Sequence, residues 1–357
     1  MRTIAWGGCL FAMGCGVNVS ATGESDGARI HVEVRTNGTK VFVGPKVANP
    51  NSAGKAKFDI ESWKAGDVVF EVAAEDQTGD RATTQLTVKH DPKKYAELVD
   101  CAPGDATFGF RLQAPNGVVP CAATADGSIG VNLHVPSDAT VTIAGQAAGV
   151  DADGNATARV PLWPFLAAHP TPDNGPWPVD DAPLAAVFPI HVERPGKPAS
   201  DLELTADLGG VVFPLLTATW TEMAAGKLAP PAFAGKGVAW HHVWRVTGKD
   251  NVTRTQSEWQ VFGAKTVAEV ARVVKVDESA RSGAICGKYQ LGSGKEVEPR
   301  LQLVDWTLTL VPGSAAPKAF SATGGCPTEM FLDKEKPETV ERFPAPEPIA
   351  SWLARLE

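Results

Sequence analysis

Two stretches decide the fold reading: Thr39–Ile60, TKVFVGPKVANPNSAGKAKFDI, and Ala139–Val160, ATVTIAGQAAGVDADGNATARV. They align without a gap at a constant offset of 100, so that Val41 meets Val141, Val43 meets Ile143, Gly54 meets Gly154 and Ile60 meets Val160. Self-similarity at a fixed offset marks a repeated structural unit. In both stretches apolar residues alternate with polar ones, the pattern of a half-buried strand. Asn51-Ser-Ala-Gly54 and its counterpart Asp151-Ala-Asp-Gly154 read as turns, because Asn, Asp and Gly tolerate positive φ.

The same alternation extends outward from the first copy. Ile30, Val32 and Val34, then Val68, Phe70 and Val72, alternate with polar residues, and Asn37-Gly38 and Thr78-Gly79-Asp80 are hairpin-type turns. Further on, Val68–Val72 resembles Val187–Val192, after an insertion in the second copy. The run Val72-Ala-Ala-Glu-Asp-Gln-Thr-Gly79 follows the strand-turn order "V-x-A-x-D-x-x-G", and a closing strand, Gln85–His90, comes next. In this the first copy resembles the immunoglobulin-like repeats of bacterial surface proteins; the second departs from the pattern here. The resemblance implies a β-sandwich used as spacer or adhesive module rather than a chemistry.

The insertion, Leu162–Pro178, carries Trp163, Trp177 and five prolines. A Pro-stiffened aromatic loop of this length suits binding, and equally suits two tryptophans capping a sandwich end.

From about Gly210 the pattern changes. Val238–Thr247 and Val252–Phe262 read as two strands around Gly248-Lys-Asp-Asn251, Arg300–Val311 as a third, and Ile349, Trp352, Leu353 and Leu356 fall on one helical face behind Pro348. Cys286, the strand that follows it, Gly325-Cys326-Pro327 and the final helix resemble a C-terminal module of uncharacterised exported bacterial proteins, a resemblance that brings no activity with it. The expected architecture is mainly β: two immunoglobulin-like sandwiches, 29–97 and 98–209 (with the inserted loop 162–186), then an α+β domain, 210–357.

The N-terminus reads as an export signal. Arg2 precedes a short apolar run, too short to span a bilayer, and Ala12-Met-Gly-Cys15 resembles the lipobox of bacterial lipoproteins, with Ala12 where Leu is usual. The resemblance implies a signal peptide over 1–14, lipid attachment at Cys15, a polar tether over 15–28 and residence in the cell envelope, on the outer membrane. With Cys9 removed and Cys15 lipidated, Cys101, Cys121, Cys286 and Cys326 remain, an even number with three pairings. Export favours disulfides, and the domain assignment selects Cys101–Cys121 and Cys286–Cys326, each worth about 3–4 kcal/mol in the chain-entropy model.

Chemistry-bearing patterns are few. Gly23-Glu-Ser25-Asp-Gly27 has the G-x-S-x-G spacing but lacks the preceding strand and following helix of a nucleophile elbow, so it reads as linker. Asp151-Ala-Asp153-Gly-Asn155 begins like a calcium loop, but position twelve is Leu162 in place of a bidentate Glu, so it reads as a turn. His241 and His242 are neighbours on a strand and face opposite ways, which excludes joint chelation. No cofactor and no metal is implied. The net charge of −8 with no basic run argues against nucleic acid.

What remains is aromatic: 10 Trp against 2 Tyr. A two-residue loop at Lys249-Asp250 would pair Trp240 with Trp259 and place Trp240, His242, Trp244 and Trp259 on one face, as core surface or as an exposed stacking platform. The expected function is a non-catalytic, membrane-anchored scaffold or adhesion module for another envelope protein or a surface polymer. A glycan or peptide hydrolase with its site in the third domain is the alternative.

Overall fold

The computed structural model describes residues 16–92, 95–172, 174–177, 183–228, 235–291, 293–313, 315–327 and 331–356. Cys15 and the segment 1–14 lie outside the described residues. The chain is mainly β, in several sheets.

The first unit runs through β1 (Val19–Asp26), β2 (Arg29–Thr36), β3 (Lys40–Val43), β4 (Lys46–Ala48), β5 (Lys55–Glu61), β6 (Gly66–Glu75) and β7 (Arg81–His90). Sheets β1-β2-β5 and β4-β3-β6-β7 face each other over one core. The alternating residues supply that core: Ile30, Val32 and Val34 from one sheet, Val41, Val43 and Val72 from the other. Each such side chain, fully removed from water, contributes roughly 1.5–3 kcal/mol.

The expected tether is corrected here. All eight residues of β1 pair with β2, and Ser25 Oγ lies 2.6 Å from Nδ1 of buried His90, whose Nε2 is 2.7 Å from the Ser62 carbonyl oxygen. Small polar residues in an edge strand look like linker in sequence; pairing with β2 is what orders them.

The second unit comprises β8 (Glu97–Cys101), β9 (Gly109–Ala114), β10 (Gly117–Ala122), β11 (Ser128–His134), β12 (Thr140–Ile143), β13 (Gln146–Val150), β14 (Asn155–Pro161), the insertion's α1 (Trp163–Leu166) and β15 (Gly175–Pro176), then β16 (Ala185–Glu193) and β17 (Ser200–Asp207). Nine strands follow the path β10-β9-β17-β16-β12-β13-β14-β11-β8, with β13 pairing both β12 and β14. The repeat holds at the level of hydrogen bonds. Asn51 Oδ1 accepts from Ala53 N and Lys55 N, both at 3.0 Å; Asp151 Oδ1 accepts from Asp153 N (2.9 Å) and Asn155 N (2.8 Å). Gly54 and Gly154 both take positive φ, 70° and 86°. Past the insertion the counterpart of Val72 is Ile190 and that of Ala74 is Val192, because Val43 pairs with Val72 and Ile143 with Ile190. The counterpart of Val68–Val72 is therefore Ala186–Ile190, one to two residues before the segment Val187–Val192 that the sequence likened to it. A disulfide joins Cys101 in β8 to Cys121 in β10, the two ends of the strand path.

The third unit is built from α2 (Gly209–Ala224), β18 (Gly237–Thr247), β19 (Thr253–Phe262), β20 (Val270–Ile285), the short pair β21 (Tyr289–Gln290) and β22 (Glu296–Val297), β23 (Arg300–Val311), β24 (Lys318–Phe320), β25 (Thr339–Arg342) and α3 (Pro346–Leu353). The principal sheet runs β15-β19-β18-β20-β23-β24, with β25 beside β23. Its first strand belongs to the insertion: Gly175 pairs with Val261 and Pro176 with Gln260, so the Trp/Pro segment is an edge strand rather than a free loop. Helix α2 lies in one core with the second sandwich and one face of this sheet, through Val211, Leu215, Leu216 and Trp220. The boundary near Gly210 therefore falls at a helix whose buried face belongs to a core shared by both units. Helix α3 covers the other face with Ile349 and Leu353. The second disulfide is Cys286–Cys326.

Candidate functional site

The site grows out of two long hairpins. In β18–β19 the pairing is Trp240 with Gln260, His241 with Trp259 and Trp244 with Gln256, one residue away from the expected register. The cause is the turn. A two-residue loop requires positive φ at Lys249, and in its type I′ form at Asp250 as well. Instead Asn251 takes the left-handed conformation, φ 57°, and the loop closes by Asn251 N to Gly248 O at 2.9 Å and Gly248 N to Val252 O at 3.1 Å. Asp250 braces it: Arg254 bonds its carboxylate and holds its pKa down to about 2.

One residue of shift moves a side chain to the other face. Trp240, His242 and Trp244 stay on the α3 side, where their rings stack in sequence, with centroids 4.8 and 4.6 Å apart and Trp306 edge-on to Trp240 at 6.3 Å. Trp259 goes to the α2 side, stacked under His241 at 4.7 Å and continuing through Trp220 to Trp177. The single platform of three tryptophans does not exist. Trp240, Trp259 and Trp177 are buried, and Trp244 and His242 are half-buried. Trp163 is half-buried too, with its Nε1 donating to Asp126 O at 2.8 Å across the end of the second sandwich.

The second hairpin, β20–β23, pairs from Val273–Val311 out to Ile285–Arg300. It joins the first in parallel only from Gly237–Val270 to Trp240–Val274; beyond that point β18 and β20 part. The parting leaves a crevice of about 290 Å³. Trp240, His241 and Val243 form one wall, Val276, Glu278 and Trp306 the other, and Thr221, Ala224 and Trp259 close the α2 side. Further out along both arms Arg245 spans the opening, 3.5 Å from Glu278 and 3.0 Å from Glu341, with its guanidinium over the Phe343 ring. Beyond Arg245 lies a wider groove of about 770 Å³.

The polar inventory of this region is unusual. The buried Nε1 atoms of Trp240, Trp259 and Trp306 have no hydrogen-bond partner in the protein, and neither does His242 Nδ1, which stands 3.6 Å from Glu258. A buried donor left unsatisfied costs roughly 1–3 kcal/mol. All three indoles line the crevice. Burial pushes the pKa of His241 and of His242 down, against a smaller opposing pull from Glu258 on His242. Ion pairing with Glu341 holds Arg245 charged. Among the described residues no group of three or more His, Cys, Asp or Glu is placed to hold a metal ion, and Asp151 is a turn residue, as described above.

Sequence reasoning missed Trp220, Trp306, Glu278 and Arg245, and weighed His241 only as a metal ligand. Trp306 was within reach, because it alternates with Val304, Leu308 and Leu310 along a strand already recognised. Glu278 and Arg245 carry no pattern of their own. They meet only because two hairpins diverge.

No family model and no curated protein matches the chain. Among solved structures it is similar to SGBP-B of the Bacteroides ovatus mixed-linkage glucan utilization locus, in complex with a mixed-linkage heptasaccharide: 10% identity, 75% of this chain covered, TM-score 0.17. The chain spans 59% of that protein's length. No helix among the described residues is long and apolar enough to cross a membrane.

Proposed function

We propose that the protein is an exported, non-catalytic binding module of a bacterial cell envelope, lipid-anchored through Cys15. In this reading two immunoglobulin-like sandwiches carry a C-terminal α+β domain that holds a partner, either another envelope protein or a surface polymer. The observation that carries it is the crevice between the hairpins, walled by Trp240, Trp259 and Trp306. Aromatic walls with few convergent polar groups are the usual make-up of a ligand site. Among the described residues Glu278 is the one carboxylate on the walls, and Arg245 pairs with it. Most glycoside hydrolases use a pair of carboxyl groups flanking the bond, and a single paired carboxylate makes the crevice fit binding better than that chemistry. The two disulfides support export, and the N-terminal sequence, which resembles an export signal, fits the same reading.

The test is crosslinking in the native envelope, with a photoreactive residue at Val243 inside the crevice and another at Val69, exposed on the first sandwich. The expected result is a discrete adduct from Val243 alone. An adduct from Val69 alone would move binding to the sandwiches. In parallel, Cys15→Ser should release the protein into the soluble fraction and abolish labelling by a fatty-acid probe; retained labelling would refute the anchor.

A further inference from the structure

We propose that the outer half of β20 is an assembly edge, where a second copy of this chain adds its own β20 antiparallel and joins the two principal sheets into one. This goes beyond the binding reading above and does not depend on it. The first argument is the backbone. β20 is 16 residues long and pairs with β23 out to Ile285, whereas β18 pairs with its other edge only as far as Val274. From Lys275 outward no strand among the described residues pairs with that edge. The tip of the β18–β19 hairpin is tied to the β25 side instead: Arg245 bonds Glu341, Thr253 N donates to Asp333, and Lys334 N donates to Asn251 O. Asp277–Ser282 are exposed one after another, on both faces of the strand. A row of unpaired N–H and C=O groups of this length is a template for another strand.

The second argument is charge. Proteins blunt exposed edges with proline, bulges or charged side chains. This stretch has no proline, and its register shift against β23 comes only after Ser282. Its charges, however, match those of a second β20. Pairing with β23 sets Lys275, Asp277, Ser279 and Arg281 on one face, and Val276, Glu278 and Ala280 on the other. In a two-fold antiparallel pair one residue faces its own copy. With Ser279 on that axis, Asp277 of each chain lies opposite the partner's Arg281, Glu278 opposite Ala280 and Val276 opposite Ser282.

Opposite charges across a strand pair attract and like charges repel. The Ser279 axis gives two attractive pairs and no repulsive one. Moving the axis to Glu278 sets Glu278 against Glu278 and Lys275 against Arg281. Moving it to Ala280 puts Asp277 opposite Gly283 and loses both attractions. The charges therefore select one register rather than closing the edge. Both groups have capacity left for it. Arg281 uses Nε on Asp305, at 2.9 Å, and Nη2 on the Ala322 carbonyl oxygen, which leaves Nη1. Asp277 is half-exposed and sits 3.0 Å from its own strand neighbour Lys275.

The experiment is sedimentation of the full chain over a wide concentration range, with cysteine crosslinking as a second readout. Two strands this short bury less than the ~1,600 Å² of a standard interface, so the expected result is a dimer whose population rises with concentration. Asp277→Arg should weaken it at least tenfold with an unchanged thermal transition, and so should Arg281→Glu. Mixing the two variants should restore dimers, because each then meets an opposite charge. Ser279→Cys should crosslink two chains on oxidation, since directly opposed Cα atoms stand ~4.5–5.5 Å apart, within disulfide reach. Ser282→Cys should not, because its two copies would lie about 20 Å apart along the strands. The unsubstituted chain under the same oxidant sets the background from Cys9 and Cys15. A monomer at every concentration with no crosslink at position 279 would overturn the proposal. So would equal crosslinking at positions 279 and 282, which marks random collision. If position 279 is joined in the native envelope to a different protein while the pure chain stays monomeric, the edge belongs to another partner and the second copy is the wrong occupant.

Discussion

The two sandwiches carry the same strand-turn-strand frame 100 residues apart, and they use it differently. In the first, the turn at Asn51–Gly54 faces its own module: a Cβ on Gly54 would meet the Thr36 carbonyl oxygen at 2.5 Å. In the second, a Cβ on Gly154 would strike the equivalent carbonyl, Val135, and also stand 2.6 Å from Cβ of Trp63, a residue of the first module. Around that contact Ser137 N donates to Trp63 O at 2.9 Å, and Ala65 N donates to Ser137 Oγ at 3.1 Å. Arg194 follows Glu193, the counterpart of Glu75. Where the first copy has the Asp76 turn, the second has this buried guanidinium, bonded to Asp138 at 2.8 Å and to Asp91 at 3.0 Å in the connection between modules. The first copy is thus a self-contained sandwich, while the second joins a neighbour at each end. A repeat conserves the frame that makes a core; the residues that make neighbours sit on top of it.

Three measurements would break or sharpen that contrast, the largest effect first. Trp63 is 3% exposed between the modules, so Trp63→Ala should cost about 3–5 kcal/mol and split a single thermal transition into two in calorimetry. One cooperative transition in the variant would mean that the modules are coupled by other contacts.

The second measurement is a matched pair. Gly54→Ala and Gly154→Ala both force a side chain into positive φ, which costs of order 1–3 kcal/mol, but only Gly154→Ala also presses on Trp63. Denaturant unfolding should rank Gly154→Ala as the more damaging. Equal losses would show that the turn alone sets the cost.

The third effect is smaller and specific to pH. Hydrogen bonds from the Asn155 side chain and backbone hold the Asp151 carboxyl below its ordinary value of 3.8. A depressed folded-state value means that the carboxylate's stabilisation is present above the unfolded pKa and is lost as pH falls through the folded one. Acid should therefore weaken the second turn below about pH 4, whereas Asn51 holds the first without titrating. Asp151→Asn should remove this part of the acid sensitivity in a melting-temperature profile from pH 2 to 7. An unchanged profile would assign the sensitivity to other carboxylates.

Much of the frame was legible because it rests on local chemistry. Alternation along β2, β3, β6 and β23 names buried residues directly, and Asx-Gly turns name where strands reverse. Helix α2 was not legible: Gly209-Gly-Val-Val-Phe-Pro214 holds two glycines, a proline and β-branched residues, poor helix formers, and burial of Val211, Leu215, Leu216 and Trp220 in a shared core is what holds the helix. The hairpin register failed on a single residue, since a type of turn that depends on the φ of Asn251 decided which face each tryptophan takes.

By itself, then, the amino-acid order determined the strands, their repeat and the residues of each sandwich core, because period-two burial and turn chemistry act over a few neighbouring positions. Where α2 lodges, which sheet the Trp/Pro insertion joins, and the meeting of Trp240, Trp259, Trp306 and Glu278 around one crevice were decided by tertiary structure alone. Those juxtapositions join segments tens of residues apart, and they depend on how far two hairpins stay paired before they separate.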